Sequence, residues 1–177
     1  MRQPGGSVSP MSNEGRNTYV VEHLTEALLD LLRDKPLEEI SVRELCERAG
    51  VGRASFYRNF SRREDILTAY VADIFREWTD AYQRGEERPV SEQVRTLFAH
   101  FEAHRDFYEL LSRRGLVYLL KDVILRSFAL DPEAPMAEAY IKAYAAYSLY
   151  GWVETWFRRG MRESAEELAA LFCFPSG

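Results

Sequence analysis

The sequence predicts an all-α protein, and three observations carry that reading. Apolar residues recur at spacings of three and four along nearly the whole chain. No run shows the two-residue alternation of a half-buried strand. Ser-x-x-Glu, the signature of a helix N-terminal capping box, occurs at Ser41, Ser61 and Ser164, each time ahead of an apolar-periodic run. The predicted architecture is an N-terminal three-helix module followed by a helical bundle, about nine helices in all.

The first helix is expected from about Thr18 to Asp34, with Asn17 as its N-cap and Pro36 as its stop. Its apolar face is Val20, Val21, Leu24, Leu28, Leu31 and Leu32. The capping box Ser41-Val42-Arg43-Glu44 opens a helix of about two turns, with Val42, Leu45, Cys46 and Ala49 on one stripe. Gly50 ends it as a left-handed terminator. A short turn at Val51 and Gly52 leads to a third helix, Arg53 to Phe60, with Phe56 and Phe60 facing inward. The second box, Ser61 to Glu64, restarts the chain as a long helix to about Arg84, whose stripe includes Leu67, Tyr70, Val71, Ile74, Phe75, Trp78 and Tyr82. A loop over Gly85 to Pro89 precedes helices from Ser91 to His104, Phe107 to Arg113 and Leu116 to Phe128. After a Pro-punctuated loop, a long aromatic helix covers Ala137 to Arg159 and stops at Gly160. The third box, Ser164 to Glu167, opens a last short helix reaching about Phe172.

A chain of 177 residues accommodates one ordinary domain, or a small module fused to a larger one. The boundaries expected are a flexible tail over 1–16, a helix-turn-helix domain over 17–64 and a regulatory and dimerisation domain over 65–177. Composition is ordinary for a globular protein, with 46% hydrophobic and 29% charged residues. The net charge of −5 speaks against bulk nucleic-acid binding by a basic coat. Its distribution is uneven, however. Between Arg48 and Arg63 lie five arginines (48, 53, 58, 62 and 63) and no acidic residue. One short basic island on an acidic body suits local contact with phosphates, although such a window also occurs as a solvated face.

The two cysteines, Cys46 and Cys173, have no metal-type spacing, and Cys46 falls on the apolar side of its helix as a small buried hydrophobe. The first fifteen residues lack the apolar core of a signal peptide. The longest apolar stretch, Ala143 to Val153, is interrupted by Ser148 and too short to span a bilayer. A reduced, cytoplasmic protein that does not enter membranes is expected.

Two short helices joined by a tight glycine turn make a helix-turn-helix, whose second helix projects its outer face into the DNA major groove. The run Ile40-Ser41-Val42-Arg43-Glu44-Leu45-Cys46-Glu47-Arg48-Ala49-Gly50-Val51-Gly52-Arg53-Ala54-Ser55-Phe56-Tyr57-Arg58-Asn59-Phe60 closely resembles the signature of the TetR family, and the likeness extends over about Asn17 to Leu67. That resemblance implies a dimeric regulator, more often a repressor than an activator, binding a palindromic double-stranded operator under control of a small effector. The DNA-binding set it implies is Arg43, Gly52, Arg53, Ala54, Ser55, Tyr57, Arg58, Asn59, Phe60 and Arg62. Within it the resemblance has Tyr57 touching a phosphate and Arg53 and Ser55 at the DNA face; Arg53, Ser55, Tyr57 and Asn59 are expected at the groove, Arg43 and Arg62 near phosphates, and Arg58 pointing away. Gly52 stands where the family has a serine cap, and Asn59 where it often has histidine. Further along, Gly151-Trp152-Val153-Glu154-Thr155-Trp156, Gly160-Met161 and Ser164 to Leu168 look like the C-terminal domain of regulators related to the dihydroxyacetone-kinase operon activator.

The second half is crowded with aromatics, which serve as core, as dimer surface or as walls of an apolar effector pocket. The candidate pocket is Trp78, Phe101, Tyr108, Tyr118, Tyr144 and Trp152. With few charges among them, they suit a small apolar or aromatic effector, one that wedges against the far half of the long fourth helix. Homodimerisation is expected through the long aromatic helix and the last one, with Tyr144, Tyr147, Trp152 and Trp156 as possible contacts and Ala143, Ala146 and Gly151 permitting close approach. His100 and His104 stand one turn apart, an allowed metal-ligand spacing, but no third ligand is evident nearby and both read as boundary histidines. No phosphate-cradling loop, nucleophile elbow or zinc-protease helix occurs, so neither catalytic residues nor a cofactor or metal is expected. The competing readings are a helical interaction module without DNA binding and a constitutive DNA binder without ligand.

Overall fold

The computed structural model describes residues 13–76, 78, 80 and 89–171. Among them nine α-helices and one 3-10 turn make up the regular structure, with no strand. The chain divides into two compact units between Ile66 and Leu67. No helix among the described residues is long and apolar enough to cross a membrane.

The first unit is built on α1 (Asn13–Asp34), α2 (Val42–Ala49), α3 (Arg53–Asn59) and the start of α4 (Arg63–Ile74). The first helix begins earlier than expected, so Asn17 lies inside it and 13–16 are not tail; residues 1–12 lie outside the described residues. Leu24, Leu28 and Leu32 are fully enclosed at successive turns of α1, with Leu45 of α2 and Phe56 of α3. Each such side chain contributes roughly 1.5–3 kcal/mol of burial. Pro36 cannot continue α1, and the 3-10 turn Leu37–Glu39 buries Leu37 beside Ile40.

Two of the expected capping boxes differ in detail. Ser41 Oγ accepts from the Glu44 amide at 3.1 Å, as a cap should. Glu44 keeps a backbone interaction with Ser41, but its carboxylate bonds chiefly to the Lys35 ammonium, at 2.6 and 2.7 Å. The lysine also holds that carboxyl below its ordinary range. At the start of α4 the returning carboxylate is Asp65 rather than Glu64, accepting from the Ser61 and Arg62 amides at 3.0 and 2.8 Å.

The second unit holds the rest of α4, then α5 (Val90–Ala103), α6 (Arg105–Arg113), α7 (Tyr118–Ser127), α8 (Met136–Arg158) and α9 (Ala165–Ala170). Regular α4 ends at Ile74, and Phe75 is a turn. Tyr82, the loop 85–88, Phe172 and Cys173 lie outside the described residues, as does the expected run of the fourth helix over 81–84. An aromatic core joins α5, α6 and α8: the Phe101 and Tyr108 rings are 4.7 Å apart, and Phe98 meets Trp156 edge-on at 5.2 Å. The chain reverses after α8 through Gly160, whose φ of 76° suits glycine, and Met161. The reversal is tied down by Trp156 Nε1 donating to the Glu163 carbonyl at 2.8 Å and Arg105 donating to the Met161 carbonyl at 3.2 Å. The Ala165 amide donates to Glu102 of α5 at 3.0 Å, fixing the entry to α9.

At that entry the capping box is complete: Ser164 Oγ accepts from the Glu167 amide at 3.2 Å and Glu167 accepts from the Ser164 amide at 2.8 Å. Replacing Ser164 by Ala is expected to cost about 1 kcal/mol, read as a lowered urea midpoint with unchanged slope.

His100 Nε2 lies 3.0 Å from the buried Tyr108 hydroxyl, in hydrogen-bond contact, with Phe75 edge-on and His104 adjacent. Burial, and secondarily His104, pushes the His100 pKa down from 6.5 to about 4. The folded state therefore resists a proton that the unfolded chain accepts, so stability is full above pH 6.5 and is lost as pH falls toward 4. Discounted for partial exposure, the loss between pH 7 and pH 4 is about 2 kcal/mol. Urea titrations of wild type and His100→Gln at pH 7 and pH 4.5 check this; the variant should show the flatter dependence.

Candidate nucleic-acid interface and ligand cavity

The geometry of the first unit follows from one backbone position. Gly50 ends α2 at φ 65°, and the Val51 amide then donates to the Cys46 carbonyl at 3.0 Å. A Cβ at Gly50 would meet nothing within 4 Å, so the demand for glycine is purely conformational. Gly52 is the N-cap of α3 and contributes no side chain; its carbonyl accepts from the Ser55 and Phe56 amides at 2.9 and 3.2 Å. Phe56 is enclosed and locks α3 onto α1 and α2. Burial pushes the Cys46 thiol pKa up, as expected of a small core residue.

The basic island is resolved into separate tasks. Arg48 pairs with Asp30 at 3.2 Å, and Arg62 with Asp65 at 3.6 Å. Arg63 turns inward and donates to the carbonyls of Leu37 (2.9 Å) and Ile40, anchoring the 3-10 turn. That leaves Arg53 and Arg58, both exposed on α3 and in no ion pair among the described residues. Tyr57 stands beside them, 55% exposed and packed edge-on against Phe56 at 5.0 Å. Ala54 is exposed and Ser55 half-buried. Arg43, on α2, is exposed and paired with Glu47 at 2.8 Å.

Two residues of the expected DNA-binding set sit differently. Phe60 is only 9% exposed, so its side chain supports α3 from below and presents no face to a ligand. Asn59 Nδ2 donates to the Ser55 carbonyl of its own helix at 2.8 Å, a bond that any base contact must replace or share.

Residues 24–70 match the family model of bacterial regulatory proteins, tetR family. The helix-turn-helix of the first unit is thus similar to that of the tetR family. The chain is also similar to an uncharacterized HTH-type transcriptional regulator, YxbF, of Bacillus subtilis (strain 168), at 26% identity over 158 residues. That alignment covers 81% of this chain and 41% of YxbF, so the chain spans about two fifths of the length of the curated relative it matches.

Beyond the tetR-type domain, the second unit contains a cavity of about 310 Å³. One wall is α8, through Tyr144, Ala145, Ser148, Leu149 and Trp152. Trp78, Gln93, Val94, Phe98 and Phe128 close the others. Three expected pocket residues, Trp78, Tyr144 and Trp152, are thus brought together. Phe101 and Tyr108 are not: both are fully enclosed in the aromatic core, where α5, α6 and α8 consume their surfaces. Tyr118 begins α7 and is exposed away from the cavity walls. The missed α8 residue Ser148 was legible, since 144, 148 and 152 form a four-residue row. Gln93, Val94 and Phe128 carry no such signal. Of the residues expected at a dimer surface, Trp156 and Ala146 are buried within the protomer. Among the described residues no group of three or more His, Cys, Asp or Glu side chains is placed to hold a metal, so His100 and His104 have no third partner there.

Proposed function

We propose that this chain is a one-component transcription regulator that binds a two-fold symmetric, double-stranded DNA operator as a homodimer and responds to a small apolar or aromatic effector. The observation that carries the reading is the outer face of α3: Arg53, Tyr57 and Arg58 are exposed together on a helix within the segment that matches the tetR-type model, while Arg48 and Arg63 are spent on structure. Arg53, Ala54 and Ser55 reach base edges; Tyr57, Arg43 and Arg62 contact phosphates; Arg58 and Asn59 flank them. The relative's description as an HTH-type transcriptional regulator supports the same role. Repression is the working mode, by family resemblance.

Seven residues of recognition helix touch too few bases for useful affinity, so two copies are required. Helix α8 supplies the surface for pairing, since Met136, Tyr140, Ile141, Tyr144 and Tyr147 are all exposed on it. The domains act as a DNA-reading unit over 17–64 and a dimerisation and effector unit over 65–177. Footprinting on DNA flanking the gene tests this: two protected half-sites about 34 Å apart, with affinity falling steeply with salt, are expected. Protection of no site, or equal binding to all sequences, overturns it in favour of a helical interaction module or a non-specific binder.

A further inference from the structure

One ion pair of the first unit is set against its own helix. Arg43 Nε donates to Glu47 Oε1 at 2.8 Å along the outside of α2, and both side chains are largely exposed. Arg43 stands in the first turn of α2 and Glu47 in its last. The helix dipole favours the reverse, an acid first and a base last, which Glu44 and Arg48 supply one position along. An acid four residues ahead of a base is also the better order for such a pair, and here the base comes first. The pair therefore adds little to the stability of α2.

The Glu47 carboxylate also differs from the others that hold arginines in this unit. Asp30 takes both Arg33 and Arg48, at 3.0 and 3.2 Å, and so ties α1 to α2. Asp65 caps the Ser61 and Arg62 amides besides facing the Arg62 guanidinium. Glu47, by contrast, has Arg43 as the one partner of its carboxylate among the described residues. A carboxylate and a phosphate take the same planar N–H edge of a guanidinium. A phosphate that reaches Arg43 must displace Glu47, or share one cation with it against like-charge repulsion.

We propose that Glu47 is a brake on DNA binding: it holds Arg43 in place of the phosphate that this arginine would otherwise take up, and so lowers affinity for every sequence alike. The proposal rests on the DNA-binding reading above and adds the residue that opposes it. Glu47 acts through Arg43 and is a positioning residue. The brake is uniform because phosphate contacts carry no sequence information. It also flattens the salt dependence, since a carboxylate at the interface offsets one neutralised phosphate and fewer counterions are released.

The probe is a labelled duplex of arbitrary mixed sequence, titrated by fluorescence anisotropy at several salt concentrations. Wild type is compared with Glu47→Gln, with Arg43→Ala, with the two combined, and with Glu39→Gln. The last removes the same charge from the exposed 3-10 turn, where no ion pair holds it among the described residues. Glu47→Gln is expected to bind roughly 2- to 30-fold more tightly, the contribution of two exposed ion pairs in a dimer. Its log affinity should fall with log salt more steeply by roughly 0.9 per protomer. Its thermal transition should hold or rise, because an acid leaves the C-terminal turn of α2. Arg43→Ala should bind more weakly, and adding Glu47→Gln to it should restore no more than Glu39→Gln gains. A Glu47→Gln chain that binds as wild type does, or gains no more than Glu39→Gln, overturns the brake and leaves the DNA-binding reading standing. So does an equal gain with and without Arg43. A wild type that binds no duplex even at low salt overturns both.

Discussion

A chain carrying Tyr140→Glu and Ile141→Glu is expected to sediment as a monomer and to lose at least about 10³-fold in operator affinity. The size of the effect comes from the linking of half-sites. In a dimer the second recognition helix is presented at millimolar effective concentration once the first has docked. A lone α3 retains only the contacts of seven residues and falls toward the micromolar or weaker range of non-specific binding. Both substituted side chains are well exposed on the protomer, so the variant should keep its helical content and its thermal transition. Each protomer brings two new carboxylates to a self-facing patch, where they meet those of its mate across the two-fold axis; Lys142 is already paired with Glu138, and Lys121 lies over the Tyr147 ring. Electrophoretic shift with the mapped operator, together with sedimentation, checks the result. A monomer that still binds the full operator as wild type does would remove the need for α8 as the dimer surface.

The helices were legible in the sequence because local signals produce them. Periodicity, Pro36, Gly50 and the serine caps act within a few residues, and each helix but α4, whose regular part ends at Ile74, stands within a few positions of where those signals put it. What local pattern missed was decided by partners further away. Glu44 turns chiefly to Lys35, nine residues earlier, which offers a charge where the cap amide offers only a dipole. Asp65 displaced Glu64 at the next cap because its shorter side chain reaches two amides at once. The exposed face of α3 was readable for the same local reason, Phe56 fixing which side of the helix is inside and so which side carries Arg53 and Tyr57. The cavity was harder. Helix α8 is apolar nearly all round, with Ala146, Val153, Trp156 and Phe157 inside and Tyr140, Tyr144 and Tyr147 outside, and a helix of that kind has no polar face to orient it. Aromatic content alone cannot separate Phe101 and Tyr108, sunk in the core, from Trp78 and Trp152 at the cavity.

Arg53→Ala is expected to weaken operator binding by about 1–3 kcal/mol per recognition helix, and so by roughly twice that per dimer. The expectation follows from what the side chain does before DNA arrives. Arg53 is exposed and in no ion pair among the described residues, so contact with a base edge breaks no existing bond. Arg48 and Arg62 would first have to leave Asp30 and Asp65, and Arg63 the carbonyls beneath α2. Asn59 faces the same cost in smaller measure, because its amide is already held by the Ser55 carbonyl; Asn59→Ala should therefore lose less than Arg53→Ala. Tyr57→Phe removes only a hydroxyl directed at phosphate and should weaken operator and unrelated DNA alike, leaving their ratio unchanged. Arg53→Ala should instead shrink that ratio, since the lost contact is one that reads sequence. Fluorescence anisotropy with operator and scrambled duplexes, at two salt concentrations, separates the two behaviours. Should the Arg53→Ala, Tyr57→Phe double variant bind the operator as wild type does, the outer face of α3 is not the surface that reads DNA.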